Sequence, residues 1–200
     1  MAMNALIFVL ETIVNLFVLA VLMRFYAQAM RAPFRANAGN PIVDFVLALT
    51  DFAVKPMRKI VPGMLGLDFA SLLVAWIAEV ILLLVKAAMT APAAFTHAGV
   101  WPAVALLAMI GVFKLSIYLL IGVVIVQAIL SWVSPYHPLR PFFDALVRPF
   151  LKPFQRIIPL IGGVDLSSFV LLIVLQVVLM VPVAYLEKSA GALLWLTTGG

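Results

Sequence analysis

The sequence predicts an all-α integral membrane protein with four transmembrane helices, arranged as two tandem repeats of helix, amphipathic segment and helix. Three observations carry that expectation. Of the 200 residues 66% are hydrophobic and only 10% charged, against about 25% charged in a soluble domain, so the chain holds more apolar side chain than one water-soluble core can hide. Four stretches are long and apolar enough to cross about 30 Å of hydrocarbon at 1.5 Å per residue. The basic residues cluster between the first and second stretches and between the third and fourth. The same composition excludes a disordered chain, which needs few apolar residues, and collagen, which needs glycine at every third place. With no cysteine, disulfides, thiolate catalysis, Cys-ligated zinc and c-type haem attachment are excluded too.

The first crossing runs from about Asn4 to Gln28. Ala27-Gln28-Ala29 resembles a signal-peptide cleavage site, but no Lys or Arg precedes Arg24 and the apolar run exceeds a signal core of about 7–15 residues, so the segment is expected to stay as an anchor. The second crossing runs from about Phe69 to Met89. The third lies within Trp101 to Trp132 and is too long for one untilted helix: either it tilts strongly, or Trp101 to Met109 lies along the interface and the remainder crosses. The fourth runs from about Leu166 to Tyr185. Residues 1–95 then form one repeat, 96–187 the other, and 188–200 a short outward-facing tail.

Orientation follows from charge. Arg31, Arg35, Lys55, Arg58 and Lys59 lie between the first two crossings, and Arg140, Arg148, Lys152 and Arg156 between the last two. The N-terminus and the turn from Thr90 to Val100 have no basic residue, and the tail has only Lys188. The positive-inside rule therefore places both long loops in the cytoplasm and both termini outside.

A shift of 97 positions overlays two stretches. Lys55-Pro56-Met57-Arg58-Lys59-Ile60-Val61-Pro62 matches Lys152-Pro153-Phe154-Gln155-Arg156-Ile157-Ile158-Pro159, and Gly66-Leu67-Asp68-Phe69-Ala70-Ser71 matches Gly163-Val164-Asp165-Leu166-Ser167-Ser168. Shared Pro, Gly, Asp and Ser are informative where composition alone would yield shared Leu and Val. Two crossings per unit give both copies one orientation, with any pseudo-symmetry axis along the membrane normal. This doubled pattern resembles the YggT (YlmG) family of small bacterial and plastid membrane proteins, from about Leu6 to Leu186, with departures at Gln155 and in the longer first linker from Arg31 to Gly39. The resemblance implies a multi-pass inner-membrane protein without established enzymatic activity, in a family associated with cell or organelle division, cofactor assembly in energy-transducing membranes, and osmotic or ion tolerance.

Within the first basic segment Asp44, Asp51, Lys55 and Arg58 share a helical face opposite Phe45, Leu49 and Phe52. In the second, Arg140, Asp144, Arg148 and Lys152 recur every fourth residue opposite Phe142, Phe143, Leu146 and Phe150. Each is expected to lie in the interface with its aromatic face in the acyl chains. Pro41 and Pro141 suit a first helical turn, whereas Pro56, and Pro149 or Pro153, should end or kink the helix. Lys55, Arg58, Lys59, Lys152 and Arg156 suit anionic lipid headgroups, or a basic platform for a cytoplasmic or membrane protein partner. Nucleic acid is not expected, because basic loops follow from topology alone. Asp68 and Asp165, each with a serine three residues on at Ser71 and Ser168, read as N-caps at a positive helix end.

Ionisable groups inside a crossing are costly. Glu11, Glu79 and Lys114 are the candidates, with Asn15, Tyr118, Gln127 and Gln176 as neutral companions. Aligning Arg24 with Gln127 sets Glu11 opposite Lys114, and the other alignment sets Glu79 opposite Gln176. Glu79 falls near mid-bilayer, and Lys114 is expected at similar depth, paired with Glu79 or Glu11; Lys86, nearer the outer face, is expected to snorkel. His97 and His137 lack companions at metal-ligand spacing, and neither a phosphate loop nor a serine elbow is present. The expectation is therefore a non-enzymatic protein without cofactor: a scaffold or assembly factor, or alternatively a small channel or transport component built around Glu11, Glu79 and Lys114. Self-association is left open.

Overall fold

The computed structural model describes residues 1–34, 40–63, 67–90, 92, 95, 97, 99–134, 136–158 and 166–197, with side chains through residue 192. Pro159 and Asp165 of the doubled motif lie outside the described residues, as does Arg35. The regular elements are helices: α1 Ala2–Ala29, α2 Pro41–Ile60, α3 Phe69–Thr90, α4 Val100–Val133, α5 Arg140–Gln155, α6 Ser167–Val178, a π-helical turn Leu179–Val183, and α7 Ala184–Thr197. Four helical stretches, Ala2–Ala29, Phe69–Thr90, Val100–Val133 and Ser167–Ala192, are long and apolar enough to cross a membrane. Large apolar side chains such as Phe8, Phe113, Phe169 and Met180 remain exposed around them, the pattern of helices whose outer solvent is lipid. The chain is a multi-pass membrane protein.

The end of α1 is closed by the two hydrogen bonds of a Schellman motif. The Ala32 N–H donates to the Ala27 carbonyl at 2.8 Å and the Arg31 N–H to the Gln28 carbonyl at 3.1 Å. This requires a left-handed residue, and Arg31, at φ 52°, occupies the place usually held by glycine. The chain then turns to α2, where the Asn40 side chain accepts from the N–H groups of Ile42 (3.0 Å) and Val43 (3.4 Å) ahead of Pro41 in the first turn.

α2 has three faces where the sequence suggests two. Val43, Val46, Thr50 and Val54 are buried, Phe45, Leu49 and Phe52 are exposed, and the charged residues lie between them. α5 departs from the expectation more strongly. Phe142, Phe143 and Leu146 are 1%, 5% and 4% exposed, so its aromatic face packs inside the protein rather than in the acyl chains. The prolines do not end these helices either: α2 runs through Pro56, and α5 through Pro149 and Pro153. All three lie on exposed sides, where a missing N–H leaves no buried carbonyl stranded.

α4 is one continuous helix of 34 residues, which settles the third crossing against a separate interfacial helix. At about 51 Å it exceeds the hydrocarbon thickness. The fourth crossing is compound instead. Pro182 cannot donate to the preceding turn, and the backbone widens there into the π-helical turn before α7 continues to Thr197. Residues 188–197 therefore continue the helix beyond the expected crossing.

α1 packs against α3, α3 against α4, and α4 touches α1, α3, α5, α6 and α7. Buried side chains form two clusters. One joins α1, α2 and α3 to Val112 of α4 through Val18, Val21, Leu22, Val54, Val74 and Ala75, and the other joins α4, α5 and α6 to Ala27 of α1 and Val43 of α2 through Ile117, Val124, Phe142, Phe143, Leu146 and Leu171. Both cores therefore draw on α1, α2 and α4.

Replacing Arg31 with glycine removes a left-handed side-chain conflict of roughly 1–2 kcal/mol. The Arg31→Gly protein is expected to unfold at higher temperature in detergent, and an unchanged or lower midpoint would contradict the Schellman assignment.

Candidate functional site

The largest polar cluster lies where α1 ends and α3 begins, at the end of the bundle that carries the basic segments. Arg24 sits about 8 Å before the end of α1 and is only 2% exposed. A guanidinium there is out of water and must be matched by hydrogen bonds and opposite charge. Arg24 Nη1 donates to Thr50 Oγ1 at 3.0 Å and to Asp51 Oδ1 at 2.7 Å, so the matching groups come from α2. A third group approaches from the start of α3, with Asp68 Oδ2 at 3.8 Å from Arg24 Nε.

Asp68 is itself 3% exposed and receives two further donors. Arg58 grips it in bidentate fashion, Nε to Oδ1 at 3.2 Å and Nη2 to Oδ2 at 2.5 Å, and Ser71 Oγ donates to Oδ2 at 2.6 Å. The expected N-cap is thus built differently: the Asp68 carbonyl accepts from the Ser71 and Leu72 N–H groups, while its carboxylate binds Arg58 and the Ser71 hydroxyl. Burial pushes the Asp68 carboxyl up, but the hydrogen bonds from Arg58 and Ser71 and the charges of Arg58 and Arg24 outweigh it, holding the group below the usual carboxylate range. Burial likewise raises Asp51, and hydrogen bonds from Lys55 and Arg24 with their charges bring it below that range. Lys55 reaches Asp51 at 2.7 Å from one turn on, though its own side chain is largely exposed. A polar cavity of about 300 Å³ lined by Gln28, Arg58, Gly63, Leu67 and Asp68 adjoins the network.

The second half has a smaller counterpart. Gln127, about 9 Å before the end of α4, donates from Nε2 to Asp144 Oδ1 of α5 at 3.0 Å. In both halves a polar side chain near the end of a crossing therefore holds an aspartate on the next helix. The remaining motif residues do not join a site. Ile60, Pro62, Lys152, Pro153, Arg156 and Ile157 are exposed, and Ser168 is buried at the start of α6.

Deeper in the membrane the pairing differs from the sequence expectation. Lys114 bonds Glu187 of α7 at 2.7 Å, not Glu79 or Glu11, and Lys86, whose side chain stays 34% exposed, pairs with Glu11. The expected depth of Lys114 is consistent with the packing: it lies three residues, about 4.5 Å, along α4 from Gly111, which packs against Glu79, so what differs is its partner. Glu79 lies halfway, about 15 Å along α3. It is 6% exposed, its Oε1 has no hydrogen-bond partner among the described residues, and its Oε2 fills the space beside Gly111 of α4. Gln176, its counterpart in the sequence alignment, is exposed, as is Tyr118; Asn15 is half-buried.

Sequence reasoning thus singled out Asp68, Arg58 and Ser71 but missed Arg24, Thr50 and Glu187 as partners. The available signal for Arg24 was a lone arginine in an apolar run, one turn before a linker.

Removing Arg24 leaves half-buried Asp51 and buried Asp68 short of a counter-charge. The Arg24→Met protein is expected to lose about 3–5 kcal/mol of stability in detergent unfolding. Because both carboxyls are held low in the folded state, the wild type keeps their stabilisation above about pH 4 and loses it as pH falls below that. Arg24→Met is expected to flatten this acid limb, and an equally steep limb in the variant would contradict the assignment.

Comparison with known proteins finds relatives along nearly the whole chain. The CCB3/YggT family matches residues 3–89 and 106–186. A protein in the proC 3′ region of Vibrio alginolyticus is 34% identical over 175 residues, covering 87% of this chain and 91% of its own. The YggT protein of Escherichia coli (strain K12) is 33% identical over 193 residues, covering 96% of each, and a Pseudomonas aeruginosa protein is 30% identical over 190 residues, covering 94% and 93%. No solved structure matches. With the family matched over both halves and relatives of this identity along nearly the whole length, the chain belongs to the CCB3/YggT family.

Proposed function

We propose that the protein is a non-enzymatic scaffold or assembly factor of the bacterial inner membrane, working in cell division or in assembly of a membrane complex, with both termini outside and α2 and α5 at the cytoplasmic face. The observation that carries the reading is α2. Arg24 and the valine face fix it against α1 and α3, and Phe45 and Phe52, 65% and 71% exposed, stay largely uncovered near Lys55 and Lys59, with the Phe52 ring against Phe17 of α1 at 5.6 Å. An apolar strip edged with basic residues suits the boundary of an anionic bilayer and a membrane-embedded protein partner. α5 offers only its basic edge, Arg148, Lys152 and Arg156, because its aromatic side is used inside.

The halves are two tandem units of one design. Support comes from the two stretches over which the family matches, from the Arg24–Asp51 and Gln127–Asp144 contacts, and from one intramembrane ion pair in each half. The charged residues inside the membrane favour a scaffold over a channel: Glu11–Lys86 and Lys114–Glu187 tie neighbouring helices together, and the cavity between α1, α4, α5 and α6, lined by Met23, Phe113, Leu120, Leu146 and Phe150, is apolar.

A photo-crosslinking residue at Phe52, activated in native membranes, is expected to yield one discrete protein adduct, weakened by Lys59→Glu, while the same residue at Phe142 yields none. Adducts to lipid alone would overturn the scaffold reading, and ion flux in vesicles reconstituted with the pure protein would favour the channel.

A further inference from the structure

We propose that Glu79 is a proton-binding site in the middle of the membrane, reached from the side that carries the Glu11–Lys86 pair. The inference goes beyond the scaffold reading and does not depend on it.

The argument starts from charge matching. The charged groups facing Glu79 are Glu11 of α1, Lys86 of its own helix and Lys114 of α4. Both cations are already engaged, Lys86 by Glu11 and Lys114 by Glu187. Among the described residues a third carboxyl in the membrane interior is therefore left without a cation of its own. Glu79 is also 94% withdrawn from the surface, with Oε1 unbonded. A carboxylate in that position would keep neither its hydration nor a full set of donors, a cost of several kcal/mol even after relaxation. The neutral acid avoids the ionic part of that cost. The packing provides room for a compact uncharged group: Gly111 faces the carboxyl so closely that a Cβ added there would stand 3.0 Å from Oε2.

Access is one-sided. Lys86 lies seven residues on from Glu79 along α3, on the same helical face, and its side chain and that of Glu11 are 34% and 33% exposed. Towards the basic end the path is closed by Val18, Val21, Leu22 and Ala75, each 0% exposed, and by Val74 at 6%. Protons can therefore equilibrate with Glu79 past the Glu11–Lys86 pair without a continuation to the other face, which makes the group a sensor of proton activity on one side and not a conduit. Losing the proton would create a charge at the α3–α4 contact, which gives the site a means of loosening that contact.

Two measurements on the full chain in membranes test this. Infrared spectroscopy of the wild type at neutral pH is expected to show the C=O stretch of a protonated carboxylic acid, absent from Glu79→Gln. In sealed vesicles the band should respond to pH on the side bearing the Glu11–Lys86 pair and not to pH on the other side alone. Independently, dicyclohexylcarbodiimide, which couples to protonated carboxyls in apolar surroundings, should label the peptide containing Glu79 in the wild type, and the label should be lost as pH rises. Glu79→Gln, the isostere of the neutral acid, should fold with unchanged stability. No protonated-acid band in the wild type, labelling confined to Glu11 and Glu187, or a response only from the basic side would overturn the proposal.

Discussion

A guanidinium inside the end of a membrane helix cannot be left to itself, and the fold of the first half is organised around satisfying Arg24. Its side chain is too deep to be hydrated, so the chain after α1 must return with acceptors. Thr50 and Asp51 are those acceptors, and they lie on the same helix as buried Val43, Val46 and Val54, of which Val54 enters the core beside α1 and α3. Burying a charge in this way is weak evidence for net stability, since desolvation consumes much of the attraction, but breaking such a pair is costly. The network therefore selects one placement for α2. Once α2 is seated, its Phe45 and Phe52 side has nowhere to go but outward, and the surface assigned to lipid and partner follows from the buried contact. By contrast the exposed end of the Lys55–Asp51 pair contributes little, within the roughly 0–1 kcal/mol of surface ion pairs.

The second half solves the same problem with less charge. Here Gln127 holds Asp144, one turn before the position that the 97-residue shift matches to Asp51, and a neutral donor needs fewer acceptors than a guanidinium. The larger part of the docking then falls to packing, which is why Phe142, Phe143 and Leu146 are inside. Within the membrane the ion pairs run in opposite senses: the first crossing supplies the acid in Glu11–Lys86 and the base in Lys114–Glu187.

Hydropathy made the four crossings legible in the sequence because the length of an apolar run is set by bilayer thickness, and the doubled Pro, Asp and Ser positions made the family resemblance legible. What lay beyond reach were the choices that depend on depth and on which side of an amphipathic helix faces protein. Phe45 and Phe142 are equally aromatic and sit at similar places in their segments, yet one is exposed and the other buried, because only the structure tells whether a competing valine face exists. The depth of Lys114 beside Glu79 can be counted from the sequence, but its partner Glu187 cannot, because that contact depends on how α7 packs on α4. The prolines at positions 56, 149 and 153 signal helix ends or kinks, but a helix end is required only where the freed carbonyl is buried. Arg24 was visible as an anomaly without visible partners, because Thr50 and Asp51 are ordinary residues until the chain folds back.

The central claim is that the Arg24 network holds α2 in place, and spin labels can read that placement directly in a chain with no native cysteine. Labels at Ala48 on the exposed side of α2 and at Trp132 near the end of α4 should give a single narrow distance distribution in lipid bilayers. In an Arg24→Met background the same pair should give a broad or shifted distribution while the distance between labels on α3 and α4 stays fixed. An unchanged α2 distance in that background would contradict the account.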